Sequence, residues 1–136
     1  MRFMILVKAN KDSEAGVLPK EDMLKAMAAY HEQLAKAGVL VDGNGLQPSS
    51  KGWRITYSGR TQSMVDGPFA ETKELVAGYT IIKVKSREEA IEWTRRFPNP
   101  HHEEGEIEVR QMFELEDFGE SDTLDRFREL GMSHEK

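Results

Sequence analysis

VDGPFAETKELVAGYTIIKV, from Val65 to Val84, is the stretch that decides how this chain folds. It opens on a turn, Asp66-Gly67-Pro68, where Gly67 is free to take a positive φ and Pro68 fixes its own φ and lacks an N–H donor. A charged segment follows, Glu71-Thr72-Lys73-Glu74, and then an apolar run from Ala77 to Val84 that reads as a buried strand. A rigid turn, a cluster of charges and a core strand within one short run point to chemistry fixed to a scaffold.

Upstream of this run, Trp53 to Tyr57 and Thr61 to Val65 read as strands, and Gly59-Arg60 between them suits a tight hairpin. Val39-Leu40-Val41 begins an earlier strand, left irregularly through Gly43, Gly45 and Pro48. Pro19, followed by Glu21 and Asp22, starts a helix that runs to about Ala37 and stops at Gly38. Met23, Met27, Tyr30, Leu34 and Ala37 recur at helical spacing and form its apolar stripe. His31 lies about 80° round from the centre of that stripe, at the boundary between core and solvent. Residues 2–8 make a first strand with Phe3, Ile5 and Val7 on one face and Met4 and Leu6 on the other. Both faces are apolar, so both need cover. Helices cover one; a partner's sheet is the economical cover for the other, with a long loop as the alternative.

Downstream, Ser86-Arg87-Glu88-Glu89 is a capping box, so a second helix starts at Arg87. Ala90, Trp93, Thr94 and Phe97 supply its buried side and Pro98 ends it. Glu106 to Glu114 alternates, with Ile107 and Val109 opposed to Glu108 and Arg110. Beyond Glu116, Ser121 or Asp122 caps a short helix carrying Leu124, Phe127 and Leu130, stopped by Gly131. Three apolar residues do not stabilise an isolated helix of that length, so it docks on the body, docks on a partner, or frays. The order is β-α-β, a hairpin insert, then β-α-β. The expected class is therefore α+β: a ferredoxin-like antiparallel sheet with two helices on one face. Two such sheets facing across a two-fold axis would bury the apolar second faces. The body is expected over 1–119, with a tail over 120–136.

Composition removes several function classes. With 136 residues the chain is most simply one domain with room for a core. It has no cysteine, which excludes disulfides, thiolate metal sites and thiol nucleophiles. Net charge is −5, with 24 acidic and 19 basic residues interspersed and no basic stripe, so nucleic-acid binding is not expected. No run approaches a membrane span or a signal segment, and a soluble cytoplasmic protein is the expectation. Neither a Walker-type loop nor a GxGxxG occurs, so no nucleotide site is expected. His101-His102 beside Glu103 and Glu104 invites a metal reading. Adjacent histidines on an extended chain point apart, so a solvated loop is expected there and no metal site.

Several separated pieces together resemble the DGPF branch of the YCII-related family. They are Arg2-Phe3-Met4-Ile5-Leu6, Ala37-Gly38-Val39-Leu40, Gly45-Leu46-Gln47-Pro48-Ser49, the run Val65 to Glu74, and Glu106-Ile107-Glu108-Val109-Arg110. The resemblance implies a dimeric α/β barrel of ferredoxin-like subunits, with a pocket in each. It also implies, for some members, enzymes acting on small ring-like or halogenated molecules through a histidine paired with an acid. The family histidine lies late in the first helix and matches His31, followed by Leu34 and Ala37-Gly38; Asp66 is the best match for the acid.

Two functions follow. In the first, a cofactor-independent lyase or isomerase, His31 shuttles a proton, Asp66 holds its tautomer, and Lys73 or Arg54 steadies an anionic oxygen. Glu74 and Trp53 are further candidates for the pocket wall. The bland roles stand beside these: a boundary histidine is usually a surface residue with a hydrogen bond, an Asp before Gly favours a turn, and loop charges are usually solvated. In the second, the chain is a non-catalytic homodimeric module that binds a small ligand or a regulatory partner.

Overall fold

The computed structural model describes residues 1–101 and 104–132. Strand β1 (Arg2–Lys8) leads through a single helical turn, α1 (Lys11–Glu14), to the long helix α2 (Glu21–Lys36). Strand β2 (Leu40–Gly45) follows, then a hairpin of β3 (Trp53–Ser58) and β4 (Thr61–Asp66). Strand β5 (Val76–Lys83), helix α3 (Arg87–Arg95), strand β6 (Ile107–Gln111) and helix α4 (Asp122–Glu129) complete the order.

The sheet order is β2-β5-β1-β6 with every neighbouring pair antiparallel. β1 and β2 therefore run parallel on either side of β5, joined by α2, and β5 and β6 run parallel on either side of β1, joined by α3. These are two interleaved β-α-β units, the ferredoxin-like order. In the register Phe3 faces Ile82, while Ile5 faces Thr80 on one side and Val109 on the other. Those side chains share one face, and Tyr30 and Leu34 from α2 and Ala90 from α3 join them in a single core. Both helices thus cover the same face. Met4 and Leu6 on the opposite face are only half-buried.

The local signals account for the element ends. Gly38 takes φ 74 after α2, Gly59 takes φ 59 in the hairpin, and Gly131 takes φ 77 beyond α4. At α3 the Ser86 hydroxyl accepts from Glu89 N–H, and the Glu89 carboxylate accepts from Lys85 N–H, one residue before the expected partner. At α1, Asn10 and Ser13 close a capping box that folds the segment after β1 into one turn. β6 ends at Gln111, earlier than its alternation predicts. Arg2 explains the departure: 6% exposed, it donates from Nε to both Glu114 carboxylate oxygens (2.7 and 3.0 Å) and from Nη2 to the Phe113 carbonyl, pulling the chain off the ladder. Along the α2 stripe, Tyr30 and Leu34 are buried, whereas Met23 and Met27 are half-buried and Ala37 is exposed.

The hairpin is a separate two-stranded sheet. All twelve positions of β3 and β4 are exposed. Trp53, Ile55 and Tyr57 alternate onto one face of the ribbon, with Met64 opposite Ile55; Arg54 and Val65 lie on the other.

Candidate functional site

The turn after β4 is held against the body at one serine. Gly67 N–H donates to the Gly52 carbonyl at 3.0 Å, and the Gly67–Pro68 bond is cis. Phe69 N–H donates to Ser49 Oγ at 3.0 Å. Ser49 in turn donates its backbone N–H to Glu14 Oε1 at 2.9 Å and its hydroxyl to Glu14 Oε2. A Cβ on Gly67 would fall inside the contact radius of the Ser49 carbonyl oxygen, so glycine is required by this approach of two backbones. Glu14, on the one-turn helix, thus braces Ser49, which in turn holds the turn after β4.

Above this joint lies an open cleft of ≈ 360 Å³. Leu46, Pro48, Phe69, Leu75 and Val76 supply its apolar wall, and Glu14, Lys51 and Arg54 its charges. The Arg54 guanidinium sits over the Phe69 ring, 3.9 Å from its centroid. Two of the sequence runs singled out above, Gly45 to Ser49 and Val65 to Glu74, therefore meet at this cleft although β3 and β4 separate them.

His31 is elsewhere. It is half-buried where α2 lies on the sheet. Its Nδ1 is 2.7 Å from the Met27 carbonyl and its Nε2 is 2.8 Å from Thr80 Oγ1. A carbonyl only accepts, so Nδ1 carries a proton and donates it to Met27, while Nε2 shares its hydrogen bond with the Thr80 hydroxyl. Thr80 is 3% exposed on the helix-covered face beside Ile5. Tyr30 and Phe97 stand edge-on to the imidazole. Asp66 is exposed at the end of β4, paired with Trp53 in the ribbon register, and does not bond either nitrogen of His31.

Of the other candidates, Arg54 lines the cleft and Trp53 stands 61% exposed on the ribbon face that carries Ile55. Lys73 and Glu74 lie in a short 3₁₀ turn, Thr72–Glu74, and both are exposed. It starts from Glu71, held in the left-handed region at φ 61, a strained backbone for a residue with a side chain. Hydrogen bonding to the Glu71 carboxyl, then the Glu71 charge, holds Glu74 above the ordinary carboxylate range, with Lys8 pulling the other way. Burial pushes the Tyr30 hydroxyl up to about 12 against the pull of Arg96, and that hydroxyl donates to the Trp93 carbonyl at 2.7 Å. Tyr30 therefore ties α2 to α3.

Sequence reasoning missed Glu14, Ser49, Phe69 and Thr80. Ser49 and Phe69 carried a signal, since each lies in one of the sequence runs quoted above; Glu14 and Thr80 carried none short of a fold. A second polar group, on the open face of the sheet, was missed as well: Tyr79 OH donates to Asp42 Oδ2 at 3.1 Å and accepts from Asn44 at 3.0 Å. His101 Nε2 donates to the Lys8 carbonyl at 2.7 Å, while His102 and Glu103 of the metal reading lie outside the described residues. Among the described residues no group of three or more His, Asp or Glu side chains is arranged to hold a metal ion. Nor is any described helix long and apolar enough to cross a membrane.

The fold and cleft define an α+β domain with an antiparallel sheet, helices on one face and a ribbon attached beside an open hollow. Residues 1–116 match the YCII-related domain, and the chain belongs to that family. It is 29% identical over 106 residues to the uncharacterized protein R00369 of Rhizobium meliloti (strain 1021), covering 76% of this chain and 86% of that one. Among solved structures it is similar to the 5-chloro-2-hydroxyhydroquinone dehydrochlorinase TftG of Burkholderia phenoliruptrix AC1100 in complex with 2,5-dihydroxybenzoquinone. That likeness has a TM-score of 0.47 and 16% identity, over 84% of this chain and 95% of the other.

Proposed function

We propose that this chain is a homodimeric, non-catalytic small-ligand-binding domain of the cytoplasm, with its site in the cleft between ribbon and body. The binding domain spans 1–119, and 120–136 is a C-terminal tail with a short helix, α4. The observation that carries the reading is the engagement of both His31 ring nitrogens inside the helix–sheet interface. A general acid–base residue must reach its proton at about 2.6–3.2 Å, and here those positions are taken by Met27 and Thr80. The cleft, by contrast, is open, partly apolar and furnished with an arginine, as small-molecule sites commonly are. The lyase or isomerase alternative, with His31 paired to Asp66, requires one ring nitrogen to exchange its present partner for the Asp66 carboxylate and the other to open to substrate.

A fragment screen read by amide NMR on the full chain tests this. Shifts should cluster on Gly52, Phe69 and Val76 and persist in His31→Ala. Shifts centred on His31 and Thr80, or turnover of a fragment that His31→Ala abolishes, would overturn the reading.

The homodimer rests on surface left bare by one chain. Trp53, Tyr57 and Met64 are 61%, 68% and 63% exposed, and an isolated two-stranded hairpin is marginal in water. That ribbon face offers on the order of 500 Å² of apolar surface per chain, and two copies approach the roughly 1,000 Å² of a specific interface. With Met4 and Leu6 half-buried on the open sheet face, a second copy of the chain is the occupant that covers both. Sedimentation equilibrium should report a dimer that Ile55→Asp weakens; a wild-type monomer at high micromolar concentration contradicts it.

A further inference from the structure

We infer that the cleft beside the Phe69–Ser49 joint selects a small monocarboxylate with an apolar or aromatic tail. This deepens the proposal above and rests on its placing the ligand in the cleft. The charges decide the sign of the ligand. Lys51 and Arg54 face one carboxylate, Glu14, and so leave the cleft one positive charge in excess. Both Glu14 oxygens already accept hydrogen bonds from Ser49, one from its N–H and one from its hydroxyl. Among the described residues neither Arg54 nor Lys51 makes an ion pair.

Arg54 is also pre-set for the task. Its guanidinium lies over the Phe69 ring, with its central carbon 3.9 Å from the centroid. Among the described residues Arg54 makes no hydrogen bond, so the donor fork of its guanidinium is available for a planar bidentate acceptor. A single excess positive charge is balanced by a monoanion; a phosphate monoester, close to dianionic at neutral pH, would overshoot it. The apolar wall from Leu46, Pro48, Leu75 and Val76 remains for the rest of the ligand, which must be uncharged. The guanidinium and this wall border one hollow of ≈ 360 Å³, room enough for a ring or a short chain.

The test uses three probes of one shape against the full chain: 3-phenylpropanoate, 3-phenylpropan-1-ol and 3-phenylpropylamine, each titrated and followed at the amides of Gly52, Phe69 and Val76. The carboxylate should bind about tenfold or more tighter than the alcohol, the amine weakest. Arg54→Gln should reduce carboxylate affinity by about tenfold and leave the alcohol unchanged, while Arg54→Lys, which keeps the charge without the fork, should fall between them. Arg54 is exposed, so neither variant threatens the fold. Equal binding of all three probes at those amides, or tighter binding of the amine, would overturn the anion selectivity and leave the cleft as a binding site. Absence of shifts at those amides with every probe would overturn the cleft reading and this inference together.

Discussion

In the four-stranded body Ile5, Leu34 and Ile82 are wholly removed from water, whereas no position of the β3–β4 ribbon is even half-buried. The two regions draw on different sources of order. The body is held by apolar area shared among β1, β5, α2 and α3. The ribbon has its own ladder and is fastened to the body through Ser49, which accepts from Phe69 N–H and donates to Glu14. The lesson is about where a site can form. A hollow cannot open inside a close-packed core, but it can open where a lightly fastened element meets a rigid one.

The contrast can be broken most forcefully from the body side. Leu34→Ala empties space in the centre of the core and should destabilise the whole chain by about 2–5 kcal/mol, read from denaturant midpoints. Amides of body and ribbon should lose exchange protection together; if only α2 loosened, the body would not be one cooperative unit.

A smaller and more local effect is expected at the joint. Gly67→Ala drives a methyl into the Ser49 backbone and should cost about 1–3 kcal/mol in attachment of the ribbon. Hydrogen exchange should then quicken in β3 and β4 while β1 and β5 keep their protection. Uniform loss of protection would mean that ribbon and body are not separable.

The smallest effect sharpens the comparison through pH. Glu74, exposed in the short turn before β5, has a folded pKa raised above its unfolded value by Glu71, against Lys8. The folded state thus binds more protons than the unfolded one in the window above the ordinary carboxylate pKa. Stability from this group is present below that window and declines as pH rises through the raised pKa. Glu74→Gln should flatten the mildly acidic limb of a melting-temperature profile and leave the core's contribution unchanged. An identical profile in the variant would remove Glu71–Glu74 coupling from consideration.

Much of the architecture was legible in the chain because its signals are local. The alternation of Phe3 to Val7, the Ser86 cap, and the glycines at 38, 59 and 131 act within a few residues, and the structure bears out strands, helices and stops from them. The half-buried second face of β1 was legible in the same way. Even the importance of the Asp66-Gly67-Pro68-Phe69 run could be read, though not its use as a fastening point.

Tertiary structure alone decided the site. Glu14 and Ser49 are 35 positions apart, Ser49 and Phe69 are 20 apart, and His31 and Thr80 are 49 apart. No periodicity or cap couples residues at such separations; only the crossing of α2 over β5 and the return of the chain after β4 bring them together. The sequence by itself determined which elements form, because hydrogen bonding and apolar alternation along the chain are short-range. Which polar groups would be consumed by the fold, as at His31, and which would be left facing a hollow, as at Arg54, depended on long-range packing.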